Sequence, residues 1–391
     1  MITWKNICPF LLTGVLLCGY QSIFGQVKVQ LNVTVLQGGQ ESDSIFLAGN
    51  FNGWNPSDTN FLFKNNGHQY SLYLDSLPAG QLSFKCTRGS WNTVECKADG
   101  HSIDNRLVEC IRDTSITINI EGWKDRTVYI PRHTATAQVH VISDSIFLPQ
   151  LNRNRLLRIY LPENYQASKK RYPVLYMHDG QNLFDIETTG YSEWGVDECL
   201  DSLIRQGHPP CIVVGVDNGP ERINEYLPFD SEEYGKAKGD LYLSDLAGVI
   251  KPYVDKRYRT LKDRENTIIA GSSLGGLISY YALLKYPSVF GHAGIFSPSF
   301  WIAPEIGQMT DSLGSRVNGK CFFYIGGMEG ERFKADMVAM ADKLGERSSA
   351  IMYSVIDPVG IHREVYWRKW FPEFYIWMMG NGFNRQVKTK H

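Results

Sequence analysis

The 391-residue sequence carries almost no charge imbalance: 40 lysines and arginines stand against 41 aspartates and glutamates, a formal net charge of −1 at pH 7. A balanced surface gives no electrostatic footprint for nucleic acid or for an anionic membrane. The expected partner is therefore a small or neutral molecule. Internal repeats and low-complexity tracts are missing, which removes repeat arrays and disordered linkers from consideration. No cysteine pair has the CxxC spacing of a metal site. What is present is core-forming material. Hydrophobic residues make up 43% and aromatics 13% of the chain, enough for two domains or one large one.

The N-terminus has Lys5, an apolar run from Ile7 to Leu17, and small and polar residues through Gly25 and Gln26. That order is the pattern of a secretory signal peptide, and the run is too short to span a bilayer, so no transmembrane segment is expected. Cleavage near Gly25 would give a secreted or periplasmic protein; lipidation at Cys18, followed by Gly19 but preceded by the bulky Leu17, is the alternative. Beyond the leader the cysteines are Cys86, Cys96, Cys110, Cys199, Cys211 and Cys321. Export permits a disulfide among the first three, and buried free thiols are the competing reading.

From Val27 to about Trp123 the pattern is all β: alternating runs such as VKVQLNVTVL, HQYSLYLDSL and SITINI are separated by Asn, Gly and Pro clusters. Short strands over roughly a hundred residues suggest a small sandwich. The stretches Leu47 to Asp58 and Phe84 to Cys96 put Trp54 and Trp91 in turns, with Asn50, Asn52 and Asn55 beside the first. A Trp face stacks on sugar C–H groups and amides take hydroxyls, so the pair is a candidate glycan-binding site; two core tryptophans are the bland alternative. Gly49 to Trp54 resembles the GxFNxW motif of starch- and glycogen-binding sandwich modules, including the glycogen-binding domain of AMP-activated kinase. The polar stretch 123–136 is expected to be a linker, giving a leader over 1–25, a carbohydrate-binding-module-like sandwich over 26–122, and a second domain over 137–391.

In that second domain strands alternate with helices, and early antiparallel strands followed by βαβ units imply an α/β sheet covered on both faces. Its most informative stretch is NTIIAGSSLGGLISY, Asn266 to Tyr280. A short β-branched run leads into Gly271-x-Ser273-x-Gly275, and apolar residues then continue at helical spacing. This frame is a nucleophile elbow, in which flanking glycines let strand and helix approach while the serine hydroxyl is pushed out over a helix N-terminus. A serine needs an imidazole to take its proton and a carboxylate to orient that imidazole. Downstream histidines are His292, His362 and His391. His292, at the start of a strand, is expected to be structural, whereas His362 lies in a loop between the last strand and the last helix, where a base can reach the elbow. Glu329, the first carboxylate after the strand KCFFYIGG, is the leading acid. Asp357, Asp336 and a Ser-His dyad without an acid remain as alternatives. The backbone N–H groups of Leu274 and of Gln181, in the turn HDGQ, are the expected oxyanion donors. Asp179 precedes the serine and is expected to fix that turn by hydrogen bonds.

Residues 137 to 385 resemble the esterase family of α/β-hydrolases that contains feruloyl and acetyl xylan esterases, S-formylglutathione hydrolase, antigen-85 mycolyltransferases and enterochelin esterases. The resemblance is carried by YMHDGQNLFD, VGVDNGPERINEYLPF, AGSSLGGLISYYALLKYP, GIFSPSFW and GIHREVYWRKW. It implies an α/β-hydrolase fold with a mostly parallel central sheet, Ser273 as nucleophile, His362 as base, and no metal or organic cofactor. The family more often shows Asp than Glu at the acid position, and some siderophore-esterase relatives lack the acid. Arg222, Glu225 and Trp301 match positions near the family's cleft, with a packing ion pair and a core Trp as the alternative. The implied activity is a secreted serine esterase removing feruloyl or acetyl groups from polysaccharide. A siderophore esterase of enterochelin type, or a carbohydrate-binding protein with an inactive hydrolase domain, are the alternatives.

Overall fold

The computed structural model describes residues 26–40, 42–67, 69–190 and 192–380. The expected leader, with Cys8 and Cys18, and His391 lie outside the described residues. Two units, each with its own core, divide between Pro131 and Arg132.

The first unit is all β. A four-stranded sheet runs in the order Lys64–Asn65, Tyr70–Pro78, Gln26–Val35, Thr114–Ile120, and a three-stranded sheet joins Phe46–Gly49, Gly80–Thr87 and Arg106–Cys110. Alternation in Gln26–Val35 buries Val27, Val29, Leu31 and Val33 and turns the intervening polar residues outward, as a two-residue period requires. Leu47, Phe84 and Ile118 complete the core. Trp123 does too. It is fully buried in this cluster, and the strand Gly122–Trp123 pairs with Glu95–Cys96, so the sandwich extends past the expected boundary at residue 122. The far end of the expected linker is also structured. The backbone N–H groups of Thr134 and Thr136 donate to Asp185 (3.3 Å) and Asp197 (2.6 Å), and Thr134 Oγ1 donates to Glu193 (2.7 Å). Cys86, Cys96 and Cys110 are buried free thiols, so the disulfide expected as one option does not form here.

The second unit is built on an eight-stranded sheet: β1 (Val139–Leu148), β2 (Arg153–Tyr160), β3 (Val174–His178), β4 (Ile212–Val216), β5 (Thr267–Ser272), β6 (His292–Phe296), β7 (Lys320–Gly326) and β8 (Ile351–Asp357). The spatial order is β1-β2-β4-β3-β5-β6-β7-β8. β2 is antiparallel to β1 and β4, and the strands from β4 to β8 are parallel. The parallel strands are continuously apolar because helices cover both faces, here α1 (Val196–Arg205), α2 (Leu274–Lys285), α3 (Glu331–Arg347) and α4 (Glu364–Met379). α2 buries every residue from Leu274 to Leu284, which explains its unpatterned hydrophobicity. At the amino end of the parallel strands, Lys320, the first residue of β7, donates from Nζ to the carbonyls of Trp377 (3.0 Å), Met378 (3.2 Å) and Gly380 (2.7 Å), satisfying the open end of α4. This is the α/β-hydrolase architecture, with the crevice at the carboxyl ends of the strands. No described helix is long and apolar enough to cross a membrane.

Candidate active site

β5 ends at Ser272 and α2 begins at Leu274, so one residue makes the whole turn. That residue, Ser273, has φ 59° and ψ −123°, a conformation that costs a residue with a Cβ of order 1–3 kcal/mol and is held by its surroundings. Its N–H is bonded to Phe296 O (2.9 Å), and its carbonyl accepts from Leu277 N–H (3.1 Å) and Ser299 N–H (3.2 Å). The glycines are there for room: a Cβ at Gly271 would lie 2.8 Å from Gly275 C, and one at Gly276 would lie 2.9 Å from Phe296 O. Ser273 Oγ points out of the turn, 3.3 Å from Ser299 Oγ.

The loop after β8 brings His362 to the same place; Ser273 and His362 together line two cavities. His362 Nδ1 lies 2.7 Å from Glu329 Oε2. A carboxylate only accepts, so the imidazole carries its proton on Nδ1 and leaves Nε2 as a base. Glu329 is itself held: its Oε1 accepts from Gly326 N–H (2.8 Å) and Ser297 Oγ (2.6 Å), and Ser297 Oγ accepts from Trp367 Nε1 (2.9 Å). The Trp367 ring meets the His362 ring edge-on at 5.1 Å. Of the competing carboxylates, Asp357 is buried against Lys369 (2.9 Å) and Trp370 Nε1 (2.8 Å), and Asp336 faces Arg332 along α3. His292 is structural: Nε2 lies 3.0 Å from Glu265 O, and Nδ1 accepts from Lys320 N–H (2.8 Å).

Gln181 sits in a single helical turn, Gly180–Asn182, immediately after β3, and lines the larger cavity beside Ser273. Its N–H and that of Leu274 are both at helix starts, where no intrahelical acceptor exists, so both are available to an oxyanion. The turn is locked by Asp179, which sits in the left-handed region (φ 57°) and takes bonds from Arg222 Nε (2.6 Å), Arg222 Nη2 (2.8 Å) and Asn218 Nδ2 (2.6 Å). Burial alone would raise the Asp179 carboxyl, but the Arg222 charge and these bonds hold it below its usual range. Next to it burial pushes His178 down to about 4, so this imidazole is neutral and serves as packing, with Nδ1 2.7 Å from Tyr242 Oη.

The cavities differ in character. The smaller, about 220 Å³, is walled by Pro298, Trp301, Ile325 and Phe333 around the catalytic groups; the larger, about 590 Å³, is mixed, with Trp194 and Trp367 beside Asp179, Gln181, Asn218, Arg222 and Glu364. Trp301 and Arg222 are thus at the cleft. Glu225 is not: it is fully buried and pairs with Arg153 (2.8 Å) and Arg155 (2.6 Å), the packing alternative. Ser297, Ser299 and Trp367 were not singled out in the sequence. Two serines flanking a proline after a strand that neighbours the elbow strand were the available signal for the first two. Among the described residues no group of three or more His, Cys, Asp or Glu could hold a metal ion.

In the first unit, Trp54 and the exposed Trp91 lie with ring centroids 6.3 Å apart. The neighbouring amides make hydrogen bonds within the unit. Asn52 bonds Gly49 N–H (2.9 Å) and Leu47 O (3.0 Å), Asn50 bridges Ser83 N–H (3.1 Å) and Gln81 O (2.9 Å), and Asn55 accepts from Ser57 N–H (3.2 Å). Asn50 and Asn52 thus have both donor and acceptor engaged within the unit, and Asn55 its acceptor.

An α/β-hydrolase sheet with a serine elbow, a histidine–carboxylate pair and two helix-start donors defines a serine hydrolase site. Residues 149–378, more than half of the chain, match the family model described as "Putative esterase", and the chain belongs to that family. It is a carboxylic ester hydrolase. The uncharacterized protein YbbA of Bacillus subtilis (strain 168) is 27% identical over 244 residues, 58% of this chain and 93% of that one. An endo-1,4-beta-xylanase/feruloyl esterase of Xylanibacter ruminicola is 30% identical over 156 residues, 38% of this chain and 20% of that one. Among solved structures, the enterobactin esterase FES from Shigella flexneri has the same fold, with a TM-score of 0.55 at 15% identity over 90% of this chain and 92% of that one.

Proposed function

We propose that the protein is an exported serine esterase that removes a compact acyl group, feruloyl or acetyl, from a carbohydrate. One observation carries the reading: Ser273 and His362 stand where a small, mainly apolar pocket meets a larger cleft that also carries amide, carboxylate and guanidinium groups. An ester has the same two halves. The acyl group enters the pocket walled by Trp301 and Phe333, and the hydroxyl-rich alcohol occupies the cleft with Gln181, Asn218 and Arg222. Ser273 Oγ attacks the ester carbonyl as His362 Nε2 takes its proton, and Glu329 steadies the imidazolium through Nδ1. The N–H groups of Leu274 and Gln181 receive the oxyanion. His362 returns the proton to the departing alcohol, and water, activated by the same nitrogen, releases the acid from the acyl-enzyme. The Trp54–Trp91 pair favours a second contact with glycan, by stacking alone, in the first unit.

A Ser273→Ala protein is expected to lose on the order of 10⁶-fold in kcat for 4-nitrophenyl acetate, as removal of a triad serine does. A wild-type rate in that variant would sink the proposal. Absence of fluorophosphonate labelling at Ser273 in folded protein would favour a binding protein with a silent hydrolase unit. Feruloylated and acetylated oligosaccharides assayed beside ferric enterobactin decide the substrate, since turnover of the siderophore alone would redirect it.

A further inference from the structure

A third cavity, about 590 Å³, adjoins the larger cleft; Asn218 lines both. Its floor is made by β2 and the loop after β4. Arg153 and Arg155 are two residues apart on β2 and so share a face of the strand. Arg155 is 3% exposed. Its Nη2 bonds Glu225 (2.6 Å), while its buried Nε has no partner. The guanidinium lies against Gly219, where a Cβ would sit 2.4 Å from Nη1 and would push the guanidinium aside. A buried guanidinium that uses one nitrogen on a carboxylate and lines a cavity is under-satisfied, and such a group recruits an anion. The carboxylates around it are shared rather than dedicated: Glu225 pairs with both Arg153 and Arg155, and Glu221 with both Arg153 and Lys238. The remaining lining offers partners for hydroxyls in Ser145, Asn152 and Asn218.

We propose that this cavity is a subsite for an acidic sugar, a uronate whose carboxylate pairs with Arg155 and whose hydroxyls meet the asparagines, lying on the alcohol side of the ester. It rests on the reading of the substrate as a carbohydrate ester and narrows it to a glycan bearing carboxylates. Neither Arg155 nor Glu221 lies in the cavities that hold Ser273.

The test is isothermal titration of the full-length protein with xylotriose and with xylotriose carrying one glucuronate. The acidic sugar is expected to bind about 10-fold tighter, as one added charge-assisted contact gives, and to lose that advantage as salt is raised. Arg155→Lys keeps the charge but not the planar fork and is expected to reduce the preference severalfold. Because that change touches a buried ion pair, Glu221→Gln at a half-exposed position provides the opposite test: removing a carboxylate should strengthen binding of the acidic sugar and leave xylotriose unchanged. Equal binding of the two sugars, no binding of the acidic one, or a preference that neither substitution moves would overturn the proposal. Hydrolysis of 4-nitrophenyl acetate and labelling at Ser273 in the same preparation report on the esterase reading separately, so the two failures are told apart.

Discussion

Glu329 shows how much one residue's role depends on contacts that lie outside its own motif. Its carboxylate is fixed by Gly326 N–H and Ser297 Oγ, so it can orient His362 without moving. Glu329→Gln keeps the shape but lets the imidazole adopt the wrong tautomer, and kcat for 4-nitrophenyl acetate is expected to fall on the order of 10³- to 10⁴-fold with KM little changed. Asp179 makes the complementary case for stability. Its folded pKa lies below the ordinary 3.8, so it stabilises the fold above that value and the contribution is lost as pH falls through the folded pKa. Arg222→Met strands this buried carboxylate, raises its pKa, and is expected to cost about 3–5 kcal/mol at neutral pH. The deficit should shrink as pH is lowered toward the raised pKa, which urea unfolding at about pH 7 and pH 5 would measure.

At the scale of elements, the elbow is a close approach between β5, β6 and α2, and its glycines report that approach. Gly276→Ala must displace Phe296 O, and overpacking of this kind is expected to cost about 1–3 kcal/mol in urea unfolding, with a larger loss of kcat because Leu274 N–H shifts with the helix. This local geometry was legible in the sequence: Gly271-x-Ser273-x-Gly275 announces strand, turn and helix because only those residue types permit them. His362 was legible for a related reason, since chain order limits which loop can reach the elbow. Other elements were not. Trp123 reads as part of a polar connection because its burial depends on strands distant in sequence, and Glu225 reads as a cleft residue because its arginine partners lie on β2. The Asn50, Asn52 and Asn55 amides looked available for ligand, yet Asn52 and Asn55 are engaged by local hydrogen bonds and Asn50 by the distant strand residues Gln81 and Ser83, a competition that composition does not display.

For the whole molecule, separate cores mean separable damage. Trp123→Ala is expected to destabilise the sandwich by about 3–5 kcal/mol, as loss of a buried Trp does, while hydrolysis of 4-nitrophenyl acetate persists. Calorimetry beside the assay would check this, and parallel loss of activity would contradict it. Within the hydrolase unit, Lys320 has a consequence larger than capping a helix. β7 runs from Lys320 to the turn before Glu329, and α4 runs from just after His362 back to the carbonyls that Lys320 holds. Seven strand residues and sixteen helix residues reach about 23 Å and about 24 Å. Two struts of equal length, pinned together at one end by an ammonium and at the other by the acid and the base, make a closed frame, so the spacing between Glu329 and His362 is a dimension of the scaffold and not of the loops that carry them.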